Sequence, residues 1–478
     1  MTGKSETAFR WHIRTAALYV GLVAGVTLAA YAHWAYDDPF ITYRYADNIA
    51  RGIGFVYNPG ERVLSTTTPL FALLLAALQP LPIPLPQLAI FIGAVSLAVG
   101  GICLWDLCHS WQTPLAGWAG LLLYPLFLLL LTTLGSETPL YLAFCLGTFA
   151  FYARQRYAWT ALCAALAVLS RADGILVPLI LGIDYLARIR RPIPWRPMAL
   201  FVLLLIPWLV FAWAYFGSPF PATLTAKQHQ GSMAISQKFA PGFVTIARGY
   251  ATRWQYWLET GLAVVGVAFA VTRKRAWLPF LAWPLAYFAA YTALGVSRYY
   301  WYYAPLVPGF IAAAGLGVEA VKVGLRRALV GLALGGGLLL VLALAQGNDV
   351  LLLRQNPDRR YYIYREVGEW LRANTAPENT VGTLEVGIIG YYSQRPMVDF
   401  AGLIQPEVAE QLTPSATYAD SADWAIRAYR PEYLALNPAW FPALMPTLVA
   451  PACEPRQTFS GASYGYPGEM VIYRCDWN

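Results

Sequence analysis

The sequence predicts an all-α polytopic membrane domain of about eleven transmembrane helices, followed by a small C-terminal α/β domain. Hydrophobic residues make up 58% of the 478 residues and charged residues only 13%, whereas soluble domains carry roughly 25% charged residues. Short clusters of Lys and Arg separate the apolar runs, as in the loops of multi-span membrane proteins. From about residue 347 the composition becomes that of an ordinary globular domain. We therefore expect a transmembrane domain over 1–346 and a separate domain over 347–478.

The basic residues also predict the orientation. Clusters at 154–156, 188–196 and 273–275 lie between apolar runs, and cytoplasmic loops are enriched in such residues. The formal net charge of +8 therefore reflects cytoplasmic loops, and we expect no nucleic-acid partner. The N-terminus is predicted to be cytoplasmic, and the protein is predicted to be a multi-pass protein of the inner (plasma) membrane.

The first part of the chain begins with one helix and a long loop. A helix near 15–33 leads to a first external loop over 34–85, which contains a short apolar stretch at 69–79. About 11 residues cannot cross a hydrocarbon layer of roughly 30 Å, so this stretch is expected to lie at the membrane surface. Further spans are predicted near 86–106, 114–134 and 138–153.

The next apolar run, 157–187, is interrupted by polar residues at 171–174. We predict two short helices that meet at the outer face, because one long helix would place the basic cluster at 188–196 outside. Five more spans are predicted near 198–216, 257–272, 276–296, 303–321 and 328–346. An odd number of spans makes the C-terminal domain extracytoplasmic.

The tail carries the pattern of a small α/β domain. An amphipathic stretch lies at 361–374, and strand-like runs lie at 380–386, 397–400, 433–436 and 470–474. Cys453 and Cys475 have neither the spacing nor the His partners of a zinc site. In an extracytoplasmic domain we expect them to form a disulfide.

Two adjacent acids, Asp37 and Asp38, directly follow the first predicted helix. A carboxylate at the edge of a low-dielectric region can have a raised pKa and act as a general base. Two carboxylates could also hold a divalent cation. The alternative is that both are solvated loop acids that end a helix.

The surrounding residues form a longer motif. Residues 37–46 read D-D-P-F-I-T-Y-R-Y-A, and residues 52–61 read G-I-G-F-V-Y-N-P-G-E. This pattern resembles the first external loop of the GT-C superfamily of integral membrane glycosyltransferases. It is most similar to the branch of polyprenyl-phosphate-sugar-dependent cell-wall arabinofuranosyltransferases and related bacterial enzymes.

Shorter motifs along the chain resemble the same branch. They lie at 135–137, at 171–174, at 216–227 and at 385–390 together with 399–403. The chain departs from the pattern at 172 and 222, where Ala replaces Pro and Asn. It also departs at 64–68, which read L-S-T-T-T where relatives read E-G-Y-T-N, in a segment associated with sugar or acceptor contacts.

The resemblance implies an inverting glycosyltransferase that moves a monosaccharide from a polyprenyl-phosphate donor to a glycan, lipid or protein acceptor at the outer face. It implies that Asp37 or Asp38 is the base, and Asp37 is favoured because the first acid is the usual base in related loops. Glu137 is implied as a further catalytic acid, and Asp38 and Glu137 as the ligands of a divalent cation if one is used. No cofactor is certain.

Phosphate and sugar contacts are expected from side chains near the outer ends of the predicted helices. A leaving lipid phosphate gains negative charge and needs cations nearby. For each cation the alternative is a side chain that snorkels at the interface, and for the histidine a solvated loop position. The candidates are Arg44, Tyr45, Asn58, Arg171, Asp173, Lys227, His229, Arg298, Tyr299 and Glu385.

Two other classes of function remain open. One is a transporter or flippase of lipid-linked glycans, and the other is a non-catalytic scaffold of an envelope complex. Many transporters have two matching halves with broken helices at the midplane, whereas this chain has no evident internal repeat and its unusual polar residues gather in the predicted external loops. This asymmetry favours an enzyme at the outer surface of the membrane.

Overall fold

The computed structural model describes residues 3–31, 34–189, 192–325, 327–355 and 357–477. Arg190 and Arg191 of the predicted basic cluster lie outside the described residues. The part before residue 356 is helical. Its helices are α1 Gly3–Tyr31, α2 Asp38–Ala50, α3 Pro69–Leu78, α4 Leu85–Ser110, α5 Pro114–Leu122, α6 Leu128–Leu131, α7 Thr138–Ala153, α8 Tyr157–Ser170, α9 Leu176–Asp184, α10 Trp195–Phe216, α11 Ala222–Ser232, α12 Phe239–Tyr250, α13 Trp254–Arg273, α14 Leu278–Leu294, α15 Val307–Gly324 and α16 Ala328–Gln355.

Five helical segments of the described chain are long and apolar enough to cross a membrane. They are Arg14–Tyr31, Leu85–Ser110, Trp195–Phe216, Tyr300–Gly324 and a segment that begins at Ala328 and contains α16. At 1.5 Å per residue, 18 residues extend about 27 Å, close to the thickness of the hydrocarbon layer. The chain is therefore a membrane protein, and the number of about eleven spans stays a prediction.

The predicted span 114–134 is divided in the structure. Helix α5 ends at Leu122 and α6 begins at Leu128, with Pro125 between them. A proline cannot donate the backbone hydrogen bond of a helix interior, and its ring clashes with the preceding turn. The apolar run is thus continuous in the sequence while the helix is not.

The run 157–187 forms the two short helices that the basic clusters predict. Tyr157 at the start of α8 and Tyr185, just after α9, have ring centroids only 5.6 Å apart. Arg171 and a 3₁₀ turn at Ala172–Ile175 join the two helices at the other end. Helices α8 and α9 therefore make a hairpin.

Small residues let helices α13 and α15 pack closely. A Cβ atom added to Gly266 of α13 would collide with the carbonyl oxygen of Ala313 of α15. A Cβ atom on Gly317 of α15 would collide with the carbonyl oxygen of Leu262. Such contacts between small residues are typical of helices packed in a bilayer.

The C-terminal part is a small α/β domain, as the sequence predicts. Its helices are α17 Arg360–Asn374, α18 Val386–Ser393, α19 Pro406–Ala409, α20 Tyr418–Tyr429 and α21 Ala450–Ala452, and its strands are β1 Val381–Thr383, β2 Met397–Asp399, β3 Tyr433–Leu436, β4 Cys453–Ser460 and β5 Glu469–Cys475. The sheet has the order β2-β1-β3-β5-β4. Strand β1 is parallel to β2 and β3, and β5 is antiparallel to β3 and β4.

Two elements of this domain differ from the prediction. Strand β4 has a largely exposed, polar sequence at the edge of the sheet, so its hydrophobic alternation is weak. Helix α18 begins at Val386, within the run predicted as a strand at 380–386, and the strand itself ends at Thr383. Cys453 and Cys475 face each other across β4 and β5 and are joined by a disulfide.

The α/β domain and the segment between α1 and α4 share one hydrophobic core. Phe40 and Tyr43 of α2 and Leu75 of α3 belong to the same buried cluster as Val367 of α17 and Ile389 of α18. The opposite face of the sheet has its own core against α20. The domain is therefore seated on the predicted first external loop.

Candidate functional site

Asp37 and Asp38 stand at the start of α2 but face different partners. Pro39 lies in the first turn of α2, where its missing N–H group costs no helical hydrogen bond. The Asp37 carboxylate accepts hydrogen bonds from the N–H groups of Gly387 (2.9 Å) and Ile388 (2.8 Å). These donors belong to the first turn of α18, where N–H groups lack helical partners and the helix dipole favours a negative charge. Asp37 therefore caps a helix of the α/β domain.

Asp38 instead faces a cavity of about 350 Å³. Its Oδ2 atom accepts a hydrogen bond from Lys227 Nζ at 3.3 Å, and its side chain keeps 32% of its surface exposed. Asp37 is not among the residues that line this cavity. Of the two acids, only Asp38 is available to a molecule bound there.

The cavity collects residues from most of the sequence motifs. The lining residues come from the first-loop segment, from the α6–α7 and α8–α9 connections, from α11, from the segment around α14 and from one loop of the α/β domain. Those with polar or aromatic side chains are Tyr36, Asp38, Thr42, Ser65, Thr66, Thr67, Thr68, Ser136, Glu137, Arg171, Asp173, Phe220, Thr223, Lys227, Tyr291, Trp301 and Tyr302.

Lys227 is held between a carboxylate and two aromatic rings. Its Nζ atom lies 3.6 Å from the ring centroid of Tyr299 and 5.7 Å from that of Trp301, positions that favour a cation. Burial lowers the pKa of Lys227, but the charge and hydrogen bond of Asp38, together with the nearby Tyr302 and Tyr418, more than offset this, so the pKa is raised. Lys227 is therefore a buried positive charge beside the cavity. Tyr299 is fixed in turn by donating from its hydroxyl to Gln230 Oε1 at 2.7 Å.

Arg171 lies between two further carboxylates that line the cavity. Its guanidinium donates to Asp173 Oδ2 at 2.8 Å and to Glu137 Oε1 at 3.3 Å. The Tyr291 hydroxyl donates to Asp173 Oδ2 at 2.6 Å and completes the network. Burial raises the pKa of Glu137, while the Arg171 charge acts in the opposite direction. The motif at 171–174 thus supplies both Arg171 and its partner Asp173, and this ion cluster holds Glu137 in place.

The acids of the cavity do not form a set of metal ligands. Among the described residues, no group of three or more His, Cys, Asp or Glu side chains could hold a metal ion. Asp38 and Glu137 line one cavity, but each is paired with a cation of the protein, Lys227 or Arg171. This donor set does not fit a protein-held divalent cation, and we derive no step through one.

Arg44 lies outside the cavity. Its side chain is almost fully buried, with 1% of its surface exposed. It donates to the carbonyl oxygens of Gly390 (3.1 Å) and Tyr57 (3.4 Å). Gly390 lies in α18, four residues after Val386, where that helix begins. The cation predicted to bind phosphate therefore binds backbone carbonyls of the first loop and of the α/β domain.

Tyr57 and Asn58 of the first-loop motif contact the same domain. The Tyr57 hydroxyl donates to the Val386 carbonyl at 2.6 Å. Asn58 pairs with the backbone of Met397 in β2, donating to its carbonyl and accepting from its N–H group, both at 2.9 Å. Asn58 thus adds an amide to a strand of the sheet.

Two glycines of the tail motif make this contact possible. A Cβ atom on Gly387 would collide with the Asp37 backbone oxygen, and one on Gly390 would collide with the Tyr57 hydroxyl. The first-loop motif and the tail motif at 385–390 are therefore the two sides of one interface. We call this contact, made by residues 37–58 with residues 386–397, the loop–domain interface.

The remaining predicted residues do not line the cavity. The Tyr45 hydroxyl donates to the Val63 carbonyl at 2.6 Å, and His229 Nδ1 lies 2.7 Å from the Ala409 carbonyl. Arg298 is exposed. Glu385 pairs with Arg360 at 3.4 Å, and burial together with the Asp37 charge raises the pKa of the Glu385 carboxyl.

Sequence reasoning missed one loop of the α/β domain that reaches the cavity. The buried Asp399 carboxylate accepts from the N–H groups of Ala401 (2.8 Å) and Ile404 (3.1 Å). Gly402 adopts a φ of +73°, which few other residues tolerate. The loop folds around Asp399 and brings Leu403 to the cavity wall. The sequence motif at 399–403 indicated this loop, but it did not indicate that the loop reaches the cavity.

The hydroxyl residues at 65–68 and Thr223 also line the cavity and were not predicted as site residues. The departure of 64–68 from the motif of the relatives was the only signal for the first group. Thr223 could have been found from its place four residues before Lys227, since residues at this spacing share one face of a helix.

Residues 354–473 match a protein family described as a domain of unknown function (DUF8728), so the family match covers the α/β domain. No curated protein matches the chain in sequence. The chain is similar in structure to ArnT from Cupriavidus metallidurans bound to undecaprenyl phosphate, with 16% identity, a TM-score of 0.61 and 98% of each chain covered. The apo state of that protein gives a TM-score of 0.56, with 16% identity and 98% of each chain covered.

The chain is also similar to the Archaeoglobus fulgidus oligosaccharyltransferase tethered with an acceptor peptide. The identity is 12% and the TM-score 0.55, with 98% of this chain and 74% of that chain covered. At these identities the likeness concerns the fold alone. The chain therefore has the GT-C fold, as predicted from the sequence: a largely helical membrane domain with a small C-terminal sheet domain.

Proposed function

We propose that this chain of GT-C fold is an inverting glycosyltransferase that moves a monosaccharide from a polyprenyl-phosphate donor to a glycan, lipid or protein acceptor. The observation that carries the proposal is the cavity, in which Asp38, Lys227 and the Glu137–Arg171 cluster surround one space. Such a site offers a base for the acceptor and cations for the leaving phosphate.

Asp38 is proposed as the base. An acceptor hydroxyl would give its proton to a carboxylate oxygen of Asp38 while the hydroxyl oxygen bonds to the anomeric carbon. The bond from that carbon to the phosphate oxygen breaks, and the lipid phosphate leaves with the electron pair. Attack opposite the leaving group inverts the anomeric configuration. Asp37 is the weaker candidate because both of its oxygens accept backbone N–H groups.

Lys227 and Arg171 are proposed to stabilise the leaving lipid phosphate. Both cations are buried and both line the cavity, so their charges are screened less than those of exposed groups. Leu176, Phe220, Leu224 and Leu294 line the same cavity and offer apolar contacts for an isoprenoid chain. A structural relative, ArnT, was solved with undecaprenyl phosphate bound, which supports a donor of this class.

We propose that the acceptor receives the sugar at the outer face of the inner (plasma) membrane. In this proposal residues 1–346 form the transmembrane domain and residues 347–478 the extracytoplasmic domain, with the catalytic loop over 34–85. The arabinofuranosyltransferase branch is proposed on the sequence motifs alone, chiefly that of the first loop. A transporter or flippase of lipid-linked glycans is the competing function, and it would need no base.

The test begins with the donor. The purified protein is examined by native mass spectrometry for co-purifying lipids, and transfer is followed as release of undecaprenyl phosphate. Asp38→Asn should lower turnover about 10² to 10⁴-fold, the usual contribution of a general base, while undecaprenyl phosphate still binds. Asp47→Asn, on the same helix but paired with Arg51 outside the cavity, is the matched control.

Lys227→Gln should weaken binding of undecaprenyl phosphate about 10- to 150-fold, which corresponds to roughly 1.5 to 3 kcal/mol for a hydrogen bond to a charged group. The exposed Lys238→Gln is its control. Normal turnover in Asp38→Asn with loss of turnover in Asp37→Asn would return the role of base to Asp37. Normal turnover in the variant that carries both substitutions would contradict the glycosyltransferase proposal.

A further inference from the structure

The lining of the cavity contains one group of neutral hydroxyl side chains. It is formed by Thr42 of α2, by the segment Ser65, Thr66, Thr67 and Thr68, and by Thr223 of α11. We call these six residues the hydroxyl wall. The charged residues of the cavity come from other positions: Asp38, Glu137, Arg171, Asp173 and Lys227.

The hydroxyl wall has unused hydrogen-bonding capacity. Thr223 has 6% of its surface exposed, and its buried hydroxyl has no hydrogen-bond partner among the described residues. The hydroxyls of Thr42, Thr66 and Thr68 contact one another at 3.1 to 3.4 Å, longer than the usual 2.7 to 2.8 Å for two hydroxyls. Each hydroxyl offers one donor and two acceptor positions. A ligand rich in hydroxyl groups could use what the protein leaves free.

The hydroxyl wall lies directly beside the proposed reacting groups. Thr42 is four residues after Asp38 on α2, and Thr223 is four residues before Lys227 on α11, so each pair shares one face of its helix. The Asp38–Lys227 ion pair joins the two helices. A donor sugar is linked to its phosphate through a single oxygen. If Lys227 binds the phosphate, the sugar ring lies within about one helical turn of Lys227, roughly 5.4 Å. The hydroxyl wall begins at about this distance, with Thr223.

We infer that the hydroxyl wall binds the ring hydroxyls of the donor sugar, and that this sugar is uncharged. The inference rests on the proposed function and deepens it. A sugar carrying a carboxylate or an ammonium group would bring its charge against neutral hydroxyls, and burying a charge without a charged partner is costly. The hydroxyls of a neutral sugar can donate to and accept from Thr223 and the three clustered threonines. The segment 64–68, where this chain differs from its relatives, then sets the donor specificity.

The experiment compares binding of four lipids to the purified full chain: undecaprenyl phosphate alone, and the same lipid carrying a neutral hexose, a neutral pentose or an amino sugar. Trp301 lines the cavity, so tryptophan fluorescence can report binding. At least one neutral sugar lipid should bind more tightly than the bare lipid phosphate and than the amino sugar lipid.

The variants Thr66→Val and Thr223→Val remove hydroxyls and keep the branched shape. Together they should raise the dissociation constant of the neutral sugar lipid about 5- to 150-fold, since each of two neutral hydrogen bonds contributes roughly 0.5 to 1.5 kcal/mol. The constant for bare undecaprenyl phosphate should not change, which also verifies folding. Thr148→Val is the matched control, because this buried threonine bonds the Phe144 carbonyl in α7 and lies outside the cavity.

Each other outcome overturns the inference in a recognisable way. If the variants bind the neutral sugar lipid as tightly as the unmodified protein, or if the amino sugar lipid binds most tightly, the inference is wrong and the proposed function stands. If no sugar lipid binds more tightly than the bare lipid phosphate, the wall does not hold the donor sugar. If none of the four lipids binds, the proposed function fails together with the inference.

Discussion

Neighbouring residues with the same side chain can belong to different sites. Asp37 and Asp38 are adjacent, yet Asp37 bonds to Gly387, 350 positions later, and Asp38 bonds to Lys227, 189 positions later. The sequence motif contains both acids, but it does not show which of them is available as a base and which caps a helix. The difference comes from partners that only the folded chain brings close.

Glu385 gives a prediction at the same scale. Burial and the Asp37 charge raise the pKa of its carboxyl above the ordinary value. Both oxygens of Asp37 already accept N–H groups, so we assign the proton of this pair to Glu385. The folded state then binds more protons than the unfolded state above about pH 4.3, the ordinary pKa of Glu. Stability should therefore fall as the pH rises from there through the raised pKa.

The measurement is the melting temperature between pH 4.5 and 8. Glu385→Gln should flatten this dependence, because an amide does not titrate. Glu410→Gln, at an exposed position of the same domain, should leave it unchanged. An identical pH profile in the protein and in Glu385→Gln would show that Glu385 does not titrate in this range.

At the scale of elements, α2 and α18 are bound to each other at two points. Asp37 bonds to the first turn of α18, and Arg44 bonds to the carbonyl of Gly390. The N-terminus of α18 attracts a negative charge and its C-terminal part a positive one. The charged side chains of Asp37, directly before α2, and of Arg44 in α2 are therefore arranged to match the dipole of α18.

Gly387→Ala and Gly390→Ala should loosen this contact. The added methyl groups would meet the Asp37 backbone and the Tyr57 hydroxyl, and overpacking of this kind typically costs about 1 to 3 kcal/mol. Limited proteolysis should release the α/β domain sooner, and the melting temperature should fall. Gly337→Ala, in α16 with no atom near its Cβ position, should have the opposite or no effect on stability. Unchanged proteolysis in both interface variants would contradict the interface described above.

The sequence predicts the elements better than their contacts. Apolar runs and basic clusters predict the long helices and the hairpin of α8 and α9, because both depend on local composition. The division at Pro125 and the edge strand β4 were missed, since an uninterrupted apolar run hides a helix break and a polar strand lacks alternation. In the site, the motifs indicate Asp38, Glu137, Arg171 and Lys227. They equally indicate Arg44 and Asn58, which bind backbone groups of the α/β domain.

At the scale of the whole molecule, the cavity and a basic loop lie at opposite ends of the helical bundle. Glu137 precedes α7 at the cavity, and Arg154 follows it, paired with Asp106 at the other end. At 1.5 Å per residue the 16 residues of α7 extend about 24 Å. The cavity and the basic loop at 154–156 therefore lie at opposite ends of α7, and the positive-inside rule predicts that the cavity end faces outward.

Labelling with an impermeant thiol reagent tests this orientation. The background variant has its free cysteines at 103, 108, 145 and 163 replaced by alanine. The two remaining cysteines, Cys453 and Cys475, form a disulfide and do not react with the reagent. A cysteine at the exposed position Glu410 should be labelled from outside intact cells. A cysteine at the exposed position Arg156 should be labelled only after the cells are opened. The reverse pattern would invert the proposed orientation.

The burial of Arg44 has a consequence for how the protein is made. Its partner Gly390 lies 346 positions later in the chain, so helices α1 to α16 are all synthesised before α18. Until then the guanidinium lacks the carbonyl that it binds in the finished protein, and Leu403, which completes the cavity wall, has not been synthesised. The wall of the cavity is therefore complete only after the chain has been synthesised as far as this loop of the α/β domain.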